Sequence, residues 1–183
     1  MSRAILTILL CGSTATGQHP RDSWKIKPID LKAQLNHSLA DAPLTSSERE
    51  QILRSINLRD EPEAVADFLV GSIPLGRNRG DEIVVRGTKE FCSPTGNCSM
   101  WVFVRKGGQL RLALAAEGQL LIVQNSVSRG FHNIAIGMHG SAFIEQYRDY
   151  RWNGGRFEQI DCYLTQYSLD ADRSEQPEIV PCH

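Results

Sequence analysis

The sequence has almost no excess of either charge and no long hydrophobic run. Its 183 residues include 20 basic and 21 acidic side chains, with no basic stripe along the chain. The sequence therefore has no cluster of basic residues that could bind a phosphate backbone, and we expect no nucleic-acid partner. The N-terminal apolar stretch, residues 4–11, is about half of what a membrane-spanning helix needs, so we expect no membrane span. A chain of this length has room for one domain with its own core.

Several short motifs of catalysis and metal binding are also missing. Thioredoxin-like enzymes use C-x-x-C at a helix N-terminus, whereas five residues separate Cys92 from Cys98 and a predicted strand follows. A zinc site needs two close pairs of cysteine or histidine, and no histidine lies between Cys162 and Cys182. No G-x-S-x-G nucleophile elbow occurs. We predict no metal site and no cofactor, assign no catalytic residue, and leave enzymatic activity uncertain.

The first residues have the layout of a secretory signal peptide. Arg3 is a short positive region, residues 4–11 are apolar, and small residues follow up to Gly17. This predicts a signal over residues 1–17 and an exported protein, periplasmic or extracellular. Two alternatives stay open. One is an ordinary buried N-terminal strand; the other is a lipid anchor at Cys11, although Leu10 stands where such sites need a small residue.

Removal of the signal would leave four cysteines, an even number as paired disulfides require. Spacing favours Cys92 with Cys98 and Cys162 with Cys182 over the two other pairings. In the chain-entropy model each closed loop stabilises the fold by roughly 2–3 kcal/mol. The stretch CSPTGNC, residues 92–98, is therefore predicted to be a stapled hairpin.

Helical signals are confined to the N-terminal half. Residues 18–43 lack periodicity and are predicted as an extended lead-in. A helix is expected in LTSSEREQILRSI, where Thr45 and Glu48 form a capping box. A second short helix is expected in DEPEAVADF, capped by Asp60. As an alternative, residues 68–73 already belong to a strand.

From Glu82 onward the pattern becomes extended. Seven short runs rich in β-branched and aromatic residues are separated by glycine or polar turns, which leave no room for helical crossovers. The predicted fold class is α+β, with short N-terminal helices packed on an antiparallel β meander that forms a curved sheet or small barrel. A single domain is expected at residues 44–168, followed by a C-terminal tail, residues 169–183, tied by a disulfide. The seven runs are EIVVRG, MWVFVR, LRLALA, QLLIVQ, NIAIGM, AFIEQYRDYRW and FEQIDCYL.

Alternation within these runs predicts which faces are buried. In SMWVFVR, apolar side chains point both ways, so this strand should be central and covered on both sides. In FEQIDCYL, Ile160, Cys162 and Leu164 should share one inward face. A faint internal repeat relates residues 79–87 to residues 129–137, and two copies of the unit would lie side by side in one sheet.

Aromatic residues are the candidate binding groups. Trp101, Phe103, Tyr150 and Trp152 crowd the strands that precede two double-glycine hairpins. Tryptophan and tyrosine contribute strongly to binding when partly exposed. As the alternative, the same rings fill the core between sheet and helices.

Carboxylates and histidines supply a second candidate chemistry. Two carboxylates facing one groove can act as acid and base on a glycan. His132 and His139 are seven residues apart around one predicted strand, so they should face opposite ways and cannot share a metal. The carboxylates concerned lie on the last two predicted strands and are Glu145, Asp149, Glu158 and Asp161.

The block TGNCSMWVF and the closing segment YRWNGGRF also carry a resemblance. Over residues 78–163 the chain resembles exported bacterial proteins of unknown function with a G-N-C hairpin, which are faintly similar to FG-GAP-type repeat units. The resemblance implies an envelope-exposed module, without the Asp-x-Asp-x-Asp-Gly calcium loop. Altogether the sequence predicts a disulfide-stapled binding module for an unknown envelope protein or glycan, of an inhibitor or immunity type. The alternative is a cell-wall-directed hydrolase that uses the carboxylates of the last strands.

Overall fold

Two five-stranded antiparallel sheets make up most of the computed structural model, which describes residues 35–60, 62–76, 82–142, 144–166 and 178–182. In each sheet the spatial order of strands follows the chain. The first sheet contains β1 (His37–Ser38), β2 (Phe68–Ile73), β3 (Glu82–Gly87), β4 (Cys98–Lys106) and β5 (Gln109–Gly118). The second contains β6 (Leu120–Ser128), β7 (Phe131–Ser141), β8 (Ile144–Trp152), β9 (Phe157–Gln166) and β10 (Glu178–Pro181).

The antiparallel meander predicted from the sequence is confirmed, because each of the seven extended runs coincides with a strand over most of its length. The sheets are not closed into a barrel, and the fold is mainly β. The described residues contain one α-helix, α1 (Ser46–Ser55), and two short 3-10 helices (Pro62–Asp67 and Lys89–Phe91). The expected second helix is thus a 3-10 turn, and the alternative of a strand at Phe68–Ile73 is the one observed.

Helix α1 begins where the capping box predicted. The Thr45 hydroxyl accepts a hydrogen bond from Glu48 N at 3.2 Å, and Glu48 Oε2 accepts one from Thr45 N at 3.0 Å. Ile52 on the inward side of the helix is fully buried. Glu48 also reaches Arg105 on β4 at 2.8 Å, so the same carboxylate that caps the helix anchors it to the first sheet.

The apolar residues form two layers, one on each side of the first sheet. The layer between the sheets combines side chains such as Val102 and Leu114 with Ile134 and Ile136 of the second sheet. The other layer lies under α1. Strand β4 contributes to both layers, as its two-sided apolar pattern predicted. The layer under α1 contains Leu39, Ala42, Ile52, Ile56, Leu58, Phe68, Val70, Ile83, Val85, Phe103 and Leu110.

Close backbone approaches join the sheets at two places along β7. At its start, His132 N donates to Leu75 O at 2.8 Å. Further along the strand, Gly118 lies so close that a Cβ there would be 2.8 Å from the Gly137 oxygen. Glycine is therefore required where the chain crosses from β5 to β6.

The folded region extends beyond the predicted domain at both ends. Leu35 and Leu39 are buried, so the lead-in joins the core by residue 35, earlier than the expected boundary at residue 44. At the other end β10 pairs with β9. The predicted signal peptide with Cys11, most of the lead-in and most of the tail lie outside the described residues.

Two details of the sheet pattern differ from expectation. Ile160 is an extra residue in β9, opposite the step between Asp149 and Tyr150, and it is exposed. This β-bulge shifts the alternation, so Ile160 does not share the face of Cys162 and Leu164. The two copies of the faint repeat belong to β3 and β7, which lie in different sheets and not side by side.

Candidate functional site

An open cleft of about 620 Å³ lies where the two sheets diverge, between β5 and the strands β8 and β9. Its β5 side consists of four consecutive residues, 112–115. The buried rings of Tyr150 and Phe157 line it from the second sheet, together with Gln159. Arg156 and Glu158 on the same side lie 3.6 Å apart. The cleft is thus wide open to solvent, and both apolar and polar side chains line it.

Strand β5 is the edge of its sheet. It pairs with β4 on one side and with no strand of the described residues on the other. Leu112 on this edge is 37 % exposed, and Ala115 is exposed as well. An unpaired edge presents free backbone donors and acceptors, so the cleft offers peptide-like hydrogen bonding as well as apolar contact.

The predicted aromatic binding residues lie mostly in the two apolar layers. Phe103 has no exposed surface, and Tyr150 and Trp152 are each 7 % exposed. Trp101 is half-buried, with its ring 5.8 Å from that of Phe68. Burial of this degree corresponds to the core alternative for Phe103, Tyr150 and Trp152. Tyr150 alone borders the cleft.

The stretch CSPTGNC is a stapled turn, as expected. Cys92 and Cys98 form a disulfide across an antiparallel bridge. Asn97 Nδ2 donates to His139 O at 2.8 Å, while His139 N donates to Asn97 Oδ1 at 2.8 Å. The turn therefore holds the start of β4 and also attaches the first sheet to β7.

The second predicted disulfide, between Cys162 and Cys182, is also present. Next to it, Cys182 N donates to Cys162 O at 3.0 Å, which ties the chain end to β9. Two disulfides are compatible with an oxidising environment. The pairing predicted from spacing is confirmed.

The candidate carboxylates do not share a groove. Asp149 and Asp161 are directly paired across β8 and β9, and Glu145 follows on the same outer face of the second sheet. The cleft lies on the inner side of that sheet, where Glu158 alone of the four contributes. Glu145 accepts a hydrogen bond from the Tyr147 hydroxyl at 2.7 Å. Asp149, Asp161 and Glu145 therefore share one face of the sheet, which is not the face that borders the cleft.

Asp149 is nevertheless in an unusual environment. Burial raises its pKa, and the nearby Asp161 carboxylate raises it further, while a hydrogen bond from Gln124 lowers it. A chain of hydrogen bonds leads away from it: Gln124 Nε2 donates to Asp149 at 3.0 Å, Ser126 Oγ to Gln124 at 3.3 Å and Asn133 Nδ2 to Ser126 at 3.0 Å. At the far end of this chain, the amide oxygen of Asn133 is buried and has no hydrogen-bond partner among the described residues.

The two histidines lie at opposite ends of β7. His132 Nδ1 is 2.8 Å from Gln124 O, and the backbone of His139 is bound by Asn97. Within the described ranges, no three histidine, cysteine, aspartate or glutamate side chains gather in a way that could hold a metal. No helix in that part of the chain is long and apolar enough to cross a bilayer.

Sequence reasoning missed the β5 edge and the role of Asn97. LRLALA predicts a strand, but nothing in the run distinguishes an edge strand from an interior one. Asn97 is part of the G-N-C block on which the resemblance rests, and this was the one sequence feature that pointed to it. Comparisons with protein-family models, curated proteins and solved structures find no match to the chain.

Proposed function

We propose that the protein is an exported, disulfide-stapled binding module that recognises an envelope protein through the cleft beside β5. The observation that carries this proposal is the position of the 620 Å³ cleft along an unpaired edge strand. Exposed backbone groups favour a protein partner over a glycan, since a glycan offers no strand to pair with them.

Export is supported by two features of the chain. The two disulfides form and persist in oxidising compartments. The N-terminal sequence has the layout of a signal peptide. The near-neutral charge balance supports a partner other than nucleic acid. An inhibitor or immunity-type role fits a small, stapled domain of this kind.

A capture experiment with matched variants tests the cleft. Tagged, exported and oxidised protein is used to pull partners from the envelope extract of its host. Gln159→Arg places a long cation in the cleft, whereas Gln109→Arg makes the same change on β5 outside it. We expect one saturable partner retained by the wild type and by Gln109→Arg but lost by Gln159→Arg. Equal retention by both variants, or no saturable partner, would overturn the proposal.

The alternative, a cell-wall-directed hydrolase, has one observation in its favour. Asp149 has a raised pKa beside a second carboxylate, as a general acid requires. Turnover of labelled cell-wall substrate by the wild type that disappears in Asp149→Asn would support it. Inert protein across glycan and peptide substrates would count against it.

A further inference from the structure

The free edge of β5 has defined limits. The two-residue turn Gly107-Gly108 closes the β4–β5 hairpin. At the near end, Leu110 N donates to Gln51 Oε1 of α1 at 2.7 Å, so a side chain already satisfies this outward-pointing donor. At the far end, Gly118 is packed against β7. The accessible edge is therefore residues 112–117, which span about 20 Å in extended conformation.

The direction of the backbone groups follows from Leu110. Because its N–H points away from β4, the period of the strand directs the N–H of Leu112 the same way. Ala113 is an extra residue opposite the step from Val102 to Phe103. Beyond this bulge the alternation resumes one residue later, and the N–H groups of Ala115 and Glu117 point outward.

These outward groups have no partner in the described part of the chain. The Leu110 N–H donates to a partner outside the ladder, whereas the N–H groups of Leu112, Ala115 and Glu117 donate to none of the described residues. Bulges protect edges against long strand pairing. The bulge at Ala113 therefore favours a short occupant over an extended sheet-to-sheet dimer.

Two charged side chains define the occupant further: Arg111 directly precedes this edge and Glu117 is its last residue. Arg111 and Glu117 are both exposed, and no ion pair joins either of them to the described residues. A strand that lies antiparallel to β5 would place its N-terminal end beside Glu117 and its C-terminal end beside Arg111. Opposite charges across strands are favourable, so the order should be a basic residue first and an acidic residue last.

We propose that the β5 edge binds an extended segment of about six residues as an added antiparallel strand, with a basic N-terminal and an acidic C-terminal residue. The inference rests on the proposed function and names the partner's chemistry. Apolar side chains between the charges would contact Leu112 and enter the cleft beside Gln159. Backbone hydrogen bonds would supply affinity, and the charges and the cleft would supply selectivity.

The test uses a displayed library of random linear heptapeptides, selected against the intact oxidised protein. Ala115→Pro removes the outward donor, and a proline is tolerated on an edge strand where its nitrogen faces away from the ladder. Ala115→Val is the control, because it keeps the donor and suits a strand. We expect enriched peptides with the basic-to-acidic order that bind Ala115→Pro at least tenfold more weakly than they bind Ala115→Val.

A second measurement does not depend on the variant. In the wild type, hydrogen exchange at the amides of Leu112, Ala115 and Glu117 should slow when a selected peptide binds. No enrichment over the Ala115→Pro protein, or binding without slower exchange at these amides, would overturn the proposal.

The outcomes also separate this inference from the proposed function. If the envelope partner is lost by Gln159→Arg but fully retained by Ala115→Pro, the cleft binds by side-chain contacts and strand addition is overturned. If no envelope partner is captured but edge-dependent peptides are selected, the strand-binding property stands and the proposed envelope role fails.

Discussion

The Asn97 side chain takes the place of a neighbouring strand beside His139. Its amide nitrogen and oxygen exchange two hydrogen bonds of 2.8 Å with the His139 carbonyl and N–H. The contact spans 42 residues of sequence and joins the stapled turn of the first sheet to β7 of the second. The short CSPTGNC stretch therefore contributes to the contact between the sheets as well as to the local hairpin.

Asn97→Ala should destabilise the fold by about 1–3 kcal/mol, because it leaves two part-buried backbone groups of His139 without partners. The free energy of unfolding in urea measures the effect. Asn125→Ala is the matched control, since Asn125 is exposed on β6, and it should change stability by no more than about 0.5 kcal/mol. An Asn97→Ala protein as stable as this control would contradict the prediction.

The two disulfides should contribute unequally. The bridge between Cys92 and Cys98 closes a separation of 6 residues, and that between Cys162 and Cys182 one of 20. The chain-entropy model gives roughly 2 kcal/mol for the shorter loop and roughly 3 kcal/mol for the longer. Paired Cys→Ser variants compared by chemical denaturation measure both values.

A thiol assay tests independently whether the two disulfides are present. Native protein should show no reactive thiol at these four cysteines. In the variant that lacks Cys162 and Cys182, the amides of β10 should exchange faster, because its tie to β9 is reduced to backbone pairing. Four reactive thiols in the native protein would contradict both the staples and the oxidising compartment.

The strands could be predicted because a few consecutive residues are enough to determine each strand and turn. EIVVRG matches β3 from end to end, and the double-glycine turn at Gly107-Gly108 requires positive φ at both positions. The capping box of Thr45 and Glu48 likewise places the start of α1. In each case the signal lies within a few consecutive residues.

The candidate site was less predictable, because it depends on contacts that are distant in sequence. Trp152 is buried by Phe131 and Phe157, a fact that depends on how β7, β8 and β9 align. The division into two sheets decides that β5 is an edge, and local propensity carries no information about it. The β-bulge at Ile160 also turns this side chain away from the face predicted for it. No residue in FEQIDCYL indicates that a bulge occurs there.

Asp149→Asn should stabilise the protein at neutral pH. Because burial raises the pKa of Asp149 in the folded state, protonation favours folding, and this contribution is full below the unfolded pKa and lost as pH rises through the folded one. Asparagine keeps an oxygen to accept the Gln124 hydrogen bond without the charge. The stability gain, measured by urea unfolding at several pH values, should shrink in acid.

Asp161→Asn is the control for this effect. It removes the neighbouring charge that raises the Asp149 pKa but leaves the burial, so its gain at neutral pH should be smaller than that of Asp149→Asn. A stability difference between wild type and Asp149→Asn that is independent of pH would contradict the assigned titration.

Gln51→Ala should destabilise the protein and lengthen the accessible edge of β5. Gln51 accepts the Leu110 N–H at 2.7 Å, and loss of a partner for a part-buried donor costs about 1–3 kcal/mol. Gln51→Glu keeps an acceptor oxygen at the same reach and should retain most of this stability. In Gln51→Ala, hydrogen exchange at Leu110 should accelerate while the inward-pointing amide of Arg111 stays protected. Equal acceleration at both amides would mean that the whole hairpin opens, and that Gln51 does not cap the edge.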